Sequence, residues 1–318
     1  MRHNISDHGS YNSFGQTNAE APQQKNAPES RSFGWTLGVF RNMTIGVHWS
    51  LFVFGFLAIA NLAGVILPTF VPGYSSTVYL AVAALGTLGL FGSILLHELG
   101  HAIVAQRADV EVDGITLWLL GGVARLKSEA QTAGDAFRIA AAGPAVSVAL
   151  AVLGGAAAGV LQLGGASSIV VALFGYLGLI NLGLAVFNLI PALPLDGGRI
   201  AQAYLWHRDG NRHDATISAA KLGHSIGWVG VGLGLVQLFA GVGSGLWTIL
   251  IAWFVMRGAT GERKAAEREK RKEMNPPIWP NFFDRFDQGS GPGTPQSPNR
   301  HPWLGEPIPV KSWEENHR

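Results

Sequence analysis

The chain has 318 residues, 48% of them apolar and 14% charged, with 42 glycines, no cysteine and a formal net charge of +2. Soluble domains carry roughly 25% charged residues, so this composition excludes an ordinary globular protein and a disordered one, and points to a polytopic membrane protein. Without cysteine there is no disulfide framework, thiolate metal site, Cys nucleophile or iron–sulfur cluster, and a metal must sit on His, Asp or Glu.

Residues 1–40 are polar, rich in Asn, Gln, Ser, Pro and Gly, and read as a disordered arm. The start Met1-Arg2-His3-Asn4 leads into no apolar core of the kind a cleavable signal needs. A membrane helix takes roughly 20 mostly apolar residues. The first such run is Val47 to Leu67, closed by Pro68, and the second runs from Val78 to Gln106, free of charge through Leu96. Residues 109–126 alternate at Val110/Val112 and at Ile115/Leu117/Leu119, with Gly114 and Gly121-Gly122 as turn signals, and read as strands at the membrane surface. From Ile139 to Leu195 there is no charged residue, enough for two spans joined at Gly164-Gly165-Ala166-Ser167-Ser168. The end of that run, residues 188–198, holds two prolines, two glycines, an Asn and an Asp, which predicts a broken helix packed inside protein. Leu222 to Met256 is again free of charge and divides at 241–245. Glu262 to Glu273 reads as a solvated extension of the last helix, and the tail after Met274 as unstructured.

Lys and Arg test this count, because cytoplasmic loops retain positive charge. Segments 68–77, 162–168 and 241–245 contain neither, whereas Arg41, Arg107, Arg125, Lys127, Arg138, Arg199, Arg208, Arg212, Lys221 and Arg257 fall in the alternate connections. The expectation is an all-α polytopic membrane protein of about six transmembrane helices, with a small membrane-associated β-element, a broken helix and both termini cytoplasmic. Topology accounts for the basic residues, so no nucleic-acid partner is expected.

His97-Glu98-Leu99-Gly100-His101 is an HExxH pattern on the second predicted span. Positions i and i+4 share a helix face, so two imidazoles can converge on one zinc while the intervening Glu reaches a bound water. The His and Glu content alone would produce such a match in about one sequence per hundred of this kind, but its location adds weight. Ionisable side chains inside a membrane helix are costly unless paired or metal-bound, and mark function by default. Catalytic zinc usually takes three protein ligands. Asp196 is the only acid of the broken segment. It reads as the third ligand, against the alternative of a turn-former before Gly197-Gly198.

Phe187-Asn188-Leu189-Ile190-Pro191-Ala192-Leu193-Pro194-Leu195-Asp196-Gly197-Gly198-Arg199, taken with His97-Glu98-Leu99-Gly100-His101, resembles the paired signature of the site-2 protease family of intramembrane zinc metalloproteases. Gly46-Val47-His48-Trp49-Ser50 and Ala142-Gly143-Pro144 resemble that family too. The resemblance covers residues 41–257, leaving 1–40 as an arm and 258–318 as a charged helix and tail, a minimal form without appended soluble domains. It implies one Zn2+ per chain on His97, His101 and Asp196, with Glu98 as general base and then acid. Asn188 would hydrogen-bond the scissile carbonyl or its oxyanion, although its position before Pro191 equally suits a cap for freed backbone groups. The strands at 110–126 resemble the family's membrane-associated sheet that guides substrate. The chain departs from the family at Ser147, where an Asn is common, and this leaves the metal ligands untouched. The implied partners are a single-span membrane protein as substrate and the lipid bilayer, most simply that of the cell membrane.

A metal transporter would also place His and Asp at membrane depth, but would spread ligands along a path and has no need of Glu98 beside His97. An inactive relative is disfavoured because each catalytic position is filled. Other features have plainer readings. His48 reads as an interfacial or packing residue, and His207, His213 and His224 belong to an exposed loop spanning 207–221 or its border. Gly155 to Gly159 reads as a small-residue packing face, and Trp118, Trp206 and Trp247 as interfacial anchors.

Overall fold

Two short strands precede the first membrane helix in the computed structural model, which describes residues 34–118, 121–126 and 128–274. Strand β1 (Gly34–Phe40) and strand β2 (Met43–His48) form a hairpin. Its two turn residues, Arg41 and Asn42, both take positive φ (48° and 64°), the twist that a two-residue hairpin turn requires. Residues 34–40 thus form a strand and not part of a disordered arm, and Val47 and His48 end a strand where the apolar run predicts a helix. The rest of that arm and the tail after Met274 lie outside the described residues.

Helix α1 (Ser50–Asn61) continues through a wider turn, Leu62–Ile66, into helix α2 (Leu67–Phe70), making one span of Ser50–Phe70. Pro68 does not close this span. It stands in the first turn of α2, where a missing N–H is tolerated. Helix α3 (Ser76–Arg107) is capped by Ser75, whose side chain accepts from the Val78 N–H. At 1.5 Å per residue His97 comes about 32 Å along α3, close to the full hydrocarbon thickness of about 30 Å.

Strands β3 (Val112–Trp118) and β4 (Gly121–Leu126) form a second hairpin, at the place the alternation predicted. The four strands make one sheet in the order β1-β2-β3-β4, with β2 and β3 parallel and β1 and β4 at the edges. Met43, Val47, Val112, Ile115 and Leu117 pack with Ala102 and Ala105, so the sheet is fastened to the last turns of α3, just beyond the HExxH residues.

Helices α4 (Ala133–Leu163) and α5 (Ser168–Asn188) form the expected pair of spans. Their backbones meet at Gly154, where a Cβ would stand 2.7 Å from the Gly178 nitrogen. This close approach falls one residue before the expected small-residue face, and a Cβ on either Gly155 or Gly159 would meet nothing within 4 Å. After a non-helical stretch at 189–195 come helices α6 (Asp196–Asp209), α7 (Arg212–Phe239) and α8 (Gly245–Met274). Only Gly210, left-handed at φ 72°, and Asn211 separate α6 from α7. The loop expected at 207–221 is therefore helical, and His207, His213 and His224 all lie on helices. The division between α7 and α8 falls at 240–244, matching the glycine-rich break.

Among the described residues five helices are long and apolar enough to cross a membrane: Ser50–Phe70, Ser76–Arg107, Ala133–Leu163, Ser168–Asn188 and Arg212–Phe239. The apolar part of α8 ends at Met256, so the last of the six expected spans is short. Between 11% and 33% of the five apolar windows is buried inside the protein. Side chains such as Leu163 and Phe239, 90% and 91% exposed, face outward. Such a surface suits lipid and would be untenable in water, and the chain is an integral membrane protein. Ala265–Met274, described by itself, is a charged helical segment in which Lys272 and Glu269 pair at 2.7 Å.

Candidate metal centre

Helical spacing brings His97 and His101 together: their Nε2 atoms stand 3.2 Å apart. Asp196, the first residue of α6, places Oδ2 3.1 Å from His97 Nε2 and 3.3 Å from His101 Nε2. Two ligand atoms each about 2.0–2.1 Å from a tetrahedral zinc lie about 3.3–3.4 Å from one another. The three atoms thus form the triangular face that such an ion occupies, and two imidazoles with one carboxylate are a suitable donor set. Among the described residues this is the group able to hold a metal ion.

The surroundings fit the same purpose. His101 Nδ1 donates to the Ile139 carbonyl oxygen at 2.7 Å, which leaves the Nε2 lone pair of the neutral ring for a metal. His97 Nδ1 lies 2.8 Å from Ser147 Oγ, and both residues are buried. Gly143, one turn before Ser147 on α4, keeps the metal position open. A Cβ there would overlap His101 Nε2 and stand 2.6 Å from His97 Nε2.

Glu98 projects toward the sheet. A Cβ on Gly122 would overlap Glu98 Cγ and stand 3.0 Å from Oε1, so the side chain of Glu98 lies directly against the backbone of the edge strand β4. The position of Asp196 depends on the broken segment at 189–195. Leu193 packs with Ala219 and Ala220 of α7, and Ala192 and Leu195 pack with Val255 of α8. Gly198 makes the fold possible at closest quarters, because a Cβ there would overlap the Leu193 nitrogen and the Ala192 carbonyl carbon.

The sequence-derived ligands His97, His101 and Asp196 are brought together, with Glu98 adjacent. Asn188 donates through Nδ2 to the Leu184 carbonyl at 3.1 Å, on its own helix. His48 Nδ1 lies 2.8 Å from Ser50 Oγ at the start of α1, apart from the metal group. Two supports, the Ile139 carbonyl and Gly122, have no counterpart in the sequence reading, and a third corrects it: Ser147, expected to leave the metal ligands untouched, stands against His97. The Gly143-Pro144 motif was the available signal for the Ile139 carbonyl and Ser147, since it marks the part of α4 that faces the ligands. One turn before His97, Ser93 Oγ accepts from Asn181 Nδ2 at 2.9 Å, a buried polar tie between α3 and α5.

The sequence profile of Peptidase family M50 matches residues 85–165 and 159–231, a region that holds His97, Glu98, His101, Asn188 and Asp196. Rip3 of Mycobacterium tuberculosis, described as a zinc metalloprotease, is 44% identical over 227 residues, covering 71% of this chain and 58% of Rip3. The protein sll0528 of Synechocystis, described in the same terms, is 40% identical over 189 residues, 58% of this chain and 48% of that protein. The chain thus spans between about half and three-fifths of the length of these curated relatives. The solved site-2 protease from Methanocaldococcus jannaschii is 29% identical with a TM-score of 0.48, covering 72% of this chain and 95% of that one. The HExxH helix, the Asp196 segment and these sequence matches agree: the chain belongs to peptidase family M50, the site-2 protease family.

Proposed function

We propose that this protein is an intramembrane zinc endopeptidase that hydrolyses a peptide bond in or near a transmembrane segment of a single-span substrate, in regulated intramembrane proteolysis. The observation that carries this reading is the triangle of His97 Nε2, His101 Nε2 and Asp196 Oδ2, with edges of 3.1–3.3 Å, beside a glutamate on a membrane helix. His97, His101 and Asp196 would hold one Zn2+ per chain. When bound, zinc supplies Lewis acidity that acidifies water and polarises a carbonyl oxygen.

The residues of the chain perform the remaining steps. Glu98 takes the proton of the attacking water and returns it to the leaving nitrogen. Asn188 spends one Nδ2 hydrogen on the Leu184 carbonyl, and its second is free to donate to the developing oxyanion. A transmembrane helix hides its carbonyls in its own hydrogen bonds, so substrate must unwind before attack. The outer edge of β4 beside Glu98 replaces those bonds by pairing with the extended segment.

The absence of Lys and Arg from the α2–α3, α4–α5 and α7–α8 connections supports placing those on the outside of the cell membrane and both termini in the cytoplasm. Detergent-purified protein, assayed for zinc per chain and incubated with a panel of single-span membrane proteins, tests the activity. Zinc near one per chain with Glu98-dependent cleavage is the expected result, and metal-free cleavage would refute the mechanism. Reporter fusions test the topology, which an external C-terminus overturns.

A further inference from the structure

A neutral imidazole carries one proton on two nitrogens, and only the bare nitrogen can bind a metal. At His101 a backbone carbonyl decides the matter, because it can only accept, so Nδ1 bears the proton. At His97 the corresponding neighbour is a hydroxyl, Ser147 Oγ at 2.8 Å, which can accept or donate. Donation would put the proton of His97 on Nε2 and turn it toward Asp196 and His101, closing the metal position. Acceptance leaves the Nε2 lone pair directed at that position.

We propose that Ser147 is a positioning residue of the metal centre: its Oγ accepts the Nδ1 proton of His97 and so presents the Nε2 lone pair to the metal. Its location carries this role. Ser147 is fully buried and His97 is 3% exposed, so water does not stand in for the hydroxyl. Gly143 and Ser147 are four residues apart on one face of α4, the first clearing space at the metal position and the second backing the ligand. Pro144, between them, lacks the N–H that would bond the Ala140 carbonyl, which makes this the turn where α4 departs from regular pairing.

This inference rests on the metal reading above, and the experiment separates the two. Full-length wild type, Ser147→Ala and Ser147→Thr are purified in detergent. Zinc affinity is measured by competition with a chromogenic chelator, and the melting temperature is measured on metal-free protein. Loss of the hydroxyl should weaken zinc binding 10- to 100-fold, the usual cost of removing an outer partner of a ligand. Threonine, which keeps the hydroxyl, should stay within a few-fold of wild type. A Ser147→Ala protein that binds zinc as tightly as wild type overturns the inference. So does a threonine variant no better than alanine when both melt normally without metal. Wild-type protein that takes up no zinc overturns the metal reading and this inference with it, whereas equal binding by wild type and Ser147→Ala overturns this inference alone.

Discussion

Helix α3 and the segment 189–195 deliver the candidate ligands to the same point by different means. His97 and His101 come from one unbroken helix, where the i, i+4 spacing alone sets them on a common face. Asp196 comes from the end of a non-helical stretch whose position is set by packing against α7 and α8 and by the near contact of Gly198 with Ala192 and Leu193. The first arrangement is local and tolerates change around it. The second is tertiary, so that a fault in packing becomes a fault in the metal site.

Substitutions can break this contrast, and the largest effect belongs to α3. Glu98→Gln keeps shape and removes the proton acceptor. Turnover should fall by about 10²–10⁴, with zinc content and melting temperature unchanged, as metal analysis and thermal denaturation would show. A parallel fall in zinc would mean that α3 is not the independent frame described here.

Asn188 is the last residue of α5, directly before the broken segment. Asn188→Ala should lower kcat by roughly 10²–10³, the loss typical when an oxyanion donor is removed, with zinc retained. Normal turnover combined with a lower melting temperature would leave Asn188 only its bond to Leu184. Gly198→Ala probes the packed region. Its added methyl should cost about 1–3 kcal/mol through overpacking, seen as a lower melting temperature. Zinc affinity should fall with it, because Asp196 moves. Stability lost without zinc would detach the third ligand from the packing of this segment. The smallest effect is expected at Gly159→Ala, where a Cβ meets nothing within 4 Å. Stability should change by no more than about 0.5 kcal/mol, with zinc and turnover as in wild type.

The local frame was legible in the sequence because helix geometry converts spacing directly into proximity. His97, Glu98 and His101 could be placed without knowledge of any other element, as could the α4 and α5 spans, which run free of charge for most of their length. Asp196 was legible for a different reason, being an acid at the end of a long uncharged run. The strands β1 and β2 were not. Trp35, Leu37 and Val39 alternate as a strand should, but they border a polar arm, and Val47 merges with the apolar run of α1. β2 is held as a strand by β1 on one side and, on the other, by its parallel partner β3, far along the chain. The contacts made by Ile139 and Ser147 were hidden likewise: a backbone carbonyl has no side-chain signature, and a serine in an apolar helix reveals a partner only once the helices are packed.

The parallel pairing of β2 with β3 also bears on the order of assembly. Thr44 lies opposite Gly114, about 70 residues later, and the chain between them is two membrane helices. The β1–β2 hairpin can close as soon as it is synthesised, but β3 cannot dock on it until α1 and α3 have both been inserted and returned the chain to the same side. Contacts this distant in sequence form late. Among the described residues β4, the strand that lies against Glu98, pairs only with β3. During biogenesis the HExxH helix is therefore made before the edge beside its glutamate exists. Docking of β3 on β2 therefore reports that the first pair of spans has been threaded and has brought the chain back to the side on which the β1–β2 hairpin waits.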